Sequence, residues 1–244
     1  MISLKNISKS FGKLQVLDKI DLDLTMGKSY ALIGPNGSGK TTLIKSILGM
    51  VIPSQGEILF DGKSIYNDWR YREKIGYMPQ IGRYPDNMRI GQLVDMMQNI
   101  RAANSSTKLD EDLIDAFHLC RIYDKPLHTL SGGTRQKVSA ALAFMFHAPV
   151  LILDEPTAGL DPISVEILKE KILQAKRKGR LVIISSHILS DLDELATNVV
   201  YIFEGNIHYN NTILALKEET SEERLGKAIA MLMHQKDLLA SITE

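Results

Sequence analysis

The stretch Gly34-Pro-Asn-Gly-Ser-Gly-Lys-Thr41 constrains this chain more than any other. It follows the apolar run SYALI and precedes Leu43, Ile44, Ile47 and Leu48, which share one helical face until Gly49 and Pro53 close the run. A strand, a glycine loop and a helix are therefore expected in that order. In that setting the spacing G-x-x-x-x-G-K-[ST] has a mechanism. The glycines let successive backbone N–H groups point at phosphate oxygens, and the helix start favours an anion. Lys40 can neutralise β and γ phosphates, and the Thr41 hydroxyl can ligate Mg2+. The bland alternative is a glycine-rich connecting turn, which would need neither Lys40 nor Thr41.

The rest of the chain supplies a sheet for that loop. VLILD at 150–154 is a continuous apolar run, as expected of a strand covered on both faces. Asp161-Pro162 provides an N-cap and a first-turn proline, and Val165, Leu168, Ile172 and Ala175 follow at helical spacing. RLVIISSH and a helix from near Ser190 complete a βαβ pattern, so the core should be a doubly wound α/β sheet. Before it, MISLKNI, VLDKIDLDL and GEILFDG read as short strands. Residues from about Arg89 to His147 read as a helical insert. Leu225, Ile229, Leu232 and Leu239 give the last 24 residues a helical stripe, which either packs on the core or joins an interface.

The 244 residues, 44% of them apolar, can bury a sizeable core without disulfides. Twenty-nine basic and 29 acidic side chains cancel, so no nucleic-acid partner held by overall charge is expected. The single Cys120 and a polar N-terminus point to a reducing cytoplasm. Runs such as ALAFMF are too short to span a membrane, so any membrane link should come through a partner.

Asp154 and Glu155 close the VLILD strand, at the sheet edge where ligands bind. If strand alternation holds, the two carboxylates point apart, Asp154 toward magnesium and Glu155 toward an attacking water. A helix cap or a solvated turn is the alternative. His187 follows the next apolar strand at the equivalent edge, as a γ-phosphate contact or a structural histidine. Gln80, ending KIGYMPQ, could reach the same metal through its carbonyl oxygen. LSGGTRQK at 130–137 offers a second glycine-rich helix start with no catalytic acid or nucleophile.

Taken in order, these motifs resemble the ATP-binding-cassette ATPases over roughly residues 2 to 210. The order comprises the aromatic Phe11, the Walker A loop at 34–41, the Q-loop Gln80 and LSGG at 130–133. Walker B with its glutamate follows at 150–155, then AGLD at 158–161 and the switch histidine His187. The resemblance implies an α/β P-loop NTPase core with a mainly parallel sheet, an antiparallel β subdomain and an inserted helical subdomain. It implies one ATPase domain at 1–220, its helical part at about 84–147, and a helical tail at 221–244. It also implies ATP and Mg2+ as cofactors. The nucleotide would be held by Phe11, Gly34, Pro35, Asn36, Gly37, Ser38, Gly39, Lys40, Thr41 and Thr42, and the metal by Thr41, Gln80 and Asp154. Glu155, His187 and Gln80 would serve catalysis.

In that family two domains pair head to tail, so Ser131, Gly132 and Gly133 would bind the γ-phosphate of the partner's ATP, with Asp161 signalling across the interface. The partner would be a second copy or a homologous ATPase subunit. The text AGLDPIS with SSHILSDLDELA looks like single-domain subunits of exporter-type transporters. A membrane permease would then dock near Ile81 to Ile90, unless that segment is an ordinary loop. The chain would be cytoplasmic, held at the inner face of the membrane by that permease. Phe11 stands where the family often has Tyr, and Thr134 where it has Gln. A soluble regulatory cassette or a nucleic-acid-associated one is the rival expectation.

Overall fold

The structure is a computed structural model that describes residues 1–102 and 109–242, without the side chains of 101–102 and 234–242. The chain opens with β1 (Ile2–Phe11), β2 (Leu14–Leu24), β3 (Ser29–Ile33), α1 (Lys40–Ile47), β4 (Gln55–Phe60) and β5 (Lys63–Ser64). Then come β6 (Ile75–Met78), α2 (Ile90–Ala102), α3 (Asp112–Ala116), α4 (Gly132–Phe144), β7 (Val150–Asp154), α5 (Pro162–Arg177) and β8 (Leu181–Ser185). It ends with α6 (Leu189–Leu195), β9 (Asn198–Phe203), β10 (Asn206–Thr212), α7 (Ile213–Thr220) and α8 (Leu225–Ile242). Contacts gather these into two units, one of residues 1–66 with 184–244 and one of residues 67–183.

In the first unit, four strands form a sheet in the order β2-β1-β4-β5. Buried apolar pairs hold β1 on β2: Ile2 faces Leu24, Leu4 faces Leu22 and, after a register shift in β1, Ile7 faces Ile20. The same unit carries β3 beside β9, parallel, with Ala31 opposite Val199 and Ile33 opposite Tyr201. β10 returns antiparallel along β9 through the hairpin at Glu204-Gly205. Every residue of β3 is buried, which matches the apolar run YALI, with Ser29 ahead of it hydrogen-bonded to Thr197.

The helical tail packs within this unit. Leu225, Ala228 and Ile229 are buried, and Asp193 of α6 ties the tail down. Its carboxylate holds Lys217 Nζ at 2.6 Å and accepts from the Leu225 amide at 3.2 Å. The buried half of the expected stripe thus lies in the core, while the Leu239 side chain falls outside the described residues.

In the second unit β6 and β7 run parallel, with Ile75 opposite Val150 and Met78 opposite Leu153. α4 lies hard against β6: a Cβ on Gly76 would come within 2.1 Å of the Ala143 carbonyl, so only glycine fits. α5 begins as its sequence suggests, with Asp161 accepting from the Ser164 amide at 3.0 Å and Pro162 in the first turn. Leu168 and Ile172 are fully buried, worth about 1.5–3 kcal/mol each. One turn away, the buried Lys171 ammonium meets Asp110 and Asp112, each at 2.6 Å, and so fixes the entry of α3 to α5.

Candidate functional site

The phosphate loop leaves β3 and enters α1 in the first unit. Gly39 is the left-handed N-cap of α1, with φ 106°, and a Cβ there would meet the Val16 carbonyl at 2.8 Å. At Gly34 a Cβ would come within 2.1 Å of the Ile202 carbonyl. Both glycines let the loop sit close on neighbouring backbone, which keeps its amides at the helix start. Lys40 Nζ donates to the Gly34 and Pro35 carbonyls at 2.6 and 2.8 Å, folding the lysine over the loop. Ser38 Oγ is buried with no hydrogen-bond partner among the described residues, and Thr41 is exposed in the first turn of α1. An orphaned hydroxyl inside a glycine cradle fits a phosphate ligand.

Phe11 ends β1 in the same unit, 52% exposed, with the Lys9 ammonium 4.9 Å from its ring centre. The ring is thus available for stacking and already carries one cation. His187 is exposed just after β8, where Ser186 Oγ accepts from the Ile188 amide at 3.0 Å and shapes the turn into α6.

The second unit assembles the other residues. The β6–β7 register carries the chain so that Gln80 and the Asp154-Glu155 pair leave the two strands side by side. Asp154 is buried at the end of β7. Burial pushes the Tyr77 hydroxyl up to about 12, and the nearby Asp154 carboxylate adds to the rise. Glu155 departs from the alternation expected of it: β7 ends at Asp154, and Glu155 adopts a left-handed φ of 50°. A backbone turn, rather than the pleat, separates the two carboxylates. The Glu155 carbonyl closes that turn by accepting from the Ala158 amide at 3.2 Å.

A cavity of about 340 Å³ is lined by Gln80, Gly132, Gly133, Gln136 and Glu155, among others. The LSGG glycines thus share a wall with the glutamine and the glutamate. Ser131 is the N-cap of the 13-residue α4, and its Oγ accepts from the Thr134 amide at 3.2 Å. The Thr134 hydroxyl lies 2.9 Å from the same oxygen, so this departure from the family pattern acts directly on Ser131. Gly133 is pressed on Gly159, whose carbonyl a Cβ would meet at 2.7 Å. Asp161 pairs with Lys137 of α4 at 2.7 Å, and Lys137 and Ser164 together hold its carboxyl well below the usual range. Lys137 and Gln136 were not singled out in the sequence, because their partners lie 24 and 19 residues away and no local spacing marks them.

No cluster of three His, Cys, Asp or Glu side chains among the described residues could hold a metal by itself. The Thr41 hydroxyl, the Asp154 carboxylate and the Gln80 amide oxygen are each a donor of the hard oxygen kind that Mg2+ takes. Among the described residues, no helix is long and apolar enough to cross a membrane.

Comparison with known proteins gives the family. The sequence pattern of the ABC transporter family matches residues 17–158. The lantibiotic transport ATP-binding protein SrtF of Streptococcus pyogenes is 35% identical over 85% of this chain and 89% of its own. The Nod factor export ATP-binding protein I of Burkholderia orbicola is 30% identical over 84% of this chain and 68% of its own. A solved ATP-binding subunit of an ABC transporter superposes with a TM-score of 0.88 at 26% identity, covering 96% of this chain and 99% of that one. The chain belongs to the ABC transporter family, as an ATP-binding, ATP-hydrolysing subunit.

Proposed function

We propose that the chain hydrolyses magnesium ATP as one half of a head-to-tail pair and so drives an exporter-type membrane permease. The pairing partner is a second copy or a homologous ATPase subunit. The observation that carries this reading is the cavity where Gln80, Gly132, Gly133 and Glu155 share walls. It brings a carboxylate able to orient water next to a helix start suited to an anion, while the chain's own phosphate loop already provides for its own nucleotide. The names of the relatives, lantibiotic transport and Nod factor export, support the export direction.

In this reading residues 1–220 form the ATPase domain, its helical part at about 84–147, with a helical tail at 221–244. Phe11 stacks on the base. Gly34, Pro35, Asn36, Gly37, Ser38, Gly39, Lys40, Thr41 and Thr42 surround the phosphates. Thr41, Gln80 and Asp154 hold Mg2+, which when bound offsets charge on the phosphate oxygens. Glu155 orients the attacking water, with Gln80 and His187 assisting. Ser131, Gly132 and Gly133 receive the partner's γ-phosphate and Asp161 faces the same interface.

An open apolar groove of about 440 Å³ lies beside Ile81 to Ile90, lined by Tyr77, Tyr84, Leu93, Met96 and Phe146. It suits a short helix from the permease, which would keep the chain at the inner membrane face. Glu155→Gln should bind ATP normally and lose about 100-fold or more in turnover. Undiminished hydrolysis would remove Glu155 from its role. Purification from detergent with no membrane subunit attached would count against the permease.

A further inference from the structure

Gln136 is unusual for its depth. It lies in the first two turns of α4, 5% exposed, and a buried amide persists only where its polar atoms are answered. Its Nε2 donates to the Glu155 main-chain carbonyl at 3.2 Å. That is the carbonyl that also closes the Glu155–Ala158 turn. A non-glycine residue at φ 50° costs about 1 kcal/mol or more and persists only where its surroundings over-determine it. The Gln136 amide is one of the groups that does so.

Three residues further along α4, and so on the same helical face, stands Ser139, 1% exposed. Its Oγ lies 2.6 Å from Tyr84 Oη, and Tyr84 is a wall of the apolar groove. Gly82 packs against both partners, since a Cβ there would meet Ser139 Oγ at 2.4 Å and the Tyr84 ring at 2.8 Å. Burial raises the Tyr84 hydroxyl above its ordinary pKa, so it remains un-ionised at physiological pH. The groove and the glutamate turn are therefore bonded to points less than one turn apart on one helix. No loop intervenes to absorb a shift between them.

We propose that Gln136 is a positioning residue for Glu155, and that the Ser139–Tyr84 bond makes its setting answer to what occupies the groove. The proposal rests on the reading of Glu155 as the group that orients water. A ligand in the groove that moves Tyr84 moves Ser139, and the rigid helix carries Gln136 and the Glu155 carbonyl with it.

Gln136→Met keeps length and volume and deletes the donor. In ATPase assays on the full chain, kcat should fall about tenfold or more while KM for ATP stays within about twofold. Tyr84→Phe removes one hydroxyl and should lower kcat about threefold. The double variant should fall no further than Gln136→Met alone. In a Glu155→Gln background neither change should alter the residual rate.

Full kcat in Gln136→Met overturns the proposal, and so does a joint collapse of kcat, KM and melting temperature. Additive losses in the double variant overturn the link to the groove. If Gln136→Met does not fold, Tyr84→Phe and Ser139→Ala carry the same comparison, and full kcat in both rejects the link. A Glu155→Gln chain with normal turnover instead removes the reading beneath the proposal, a result distinct from any change at Gln136.

Discussion

At the scale of single residues, Ser38 shows how a site can be stabilised for its ligand at the expense of the empty protein. Its hydroxyl is buried with no hydrogen-bond partner among the described residues, which leaves part of a desolvation cost uncompensated until an acceptor arrives. Ser38→Ala should therefore leave the melting temperature without nucleotide unchanged, or raise stability by up to about 1 kcal/mol. ATP affinity, read by titration, should fall about tenfold. A variant that loses stability and keeps affinity would show that the hydroxyl serves the loop rather than the phosphate. The neighbouring Lys40 behaves differently, since its ammonium already bonds two loop carbonyls and must exchange them for phosphate oxygens.

At the scale of elements, the staple between α3 and α5 rests on Lys171. Removing it as Lys171→Met would leave Asp110 charged and buried, 8% exposed, at a cost of about 3–5 kcal/mol read from denaturant or thermal unfolding. The part that passes through Asp112 has a definite pH dependence. Lys171 holds the Asp112 carboxyl below its usual range, so that contribution is present above the unfolded pKa of about 3.9 and is lost as pH falls. The deficit of the variant should accordingly shrink in acid.

Elements also show what could be read from sequence. The phosphate loop, the Asp161-Pro162 start of α5 and the buried strands β3 and β7 were legible, because each is fixed by a local backbone demand or an unbroken apolar run. The left-handed turn at Glu155 was not, since strand alternation gives no sign of where a strand stops. Nor were the Tyr84–Ser139 and Lys171–Asp110 contacts, whose partners stand 55 and 61 residues apart. Periodicity reports which face of a helix is buried but not what meets it.

At the scale of the whole molecule, two helix starts among the described residues are glycine-rich, and one of them is furnished with a lysine and a threonine hydroxyl. The head-to-tail reading assigns the other to a partner's nucleotide. Ser131→Arg should then bind ATP through its own loop with nearly unchanged affinity, yet show no ATP-dependent dimer by size-exclusion chromatography and no turnover above background. An arginine variant that dimerises and hydrolyses ATP normally would place the LSGG helix outside the active site. Thr134, hydrogen-bonded to Ser131, sets the orientation that such a dimer would find.

The Tyr84–Ser139 contact also bears on selective inhibition. Compounds that compete for a phosphate loop meet the same backbone cradle in every protein that uses it, and discriminate poorly. A small molecule seated in the apolar groove and prising Tyr84 from Ser139 would instead address side chains that lie outside that backbone cradle. Its effect would appear as lowered turnover at saturating ATP, the profile of a non-competitive antagonist.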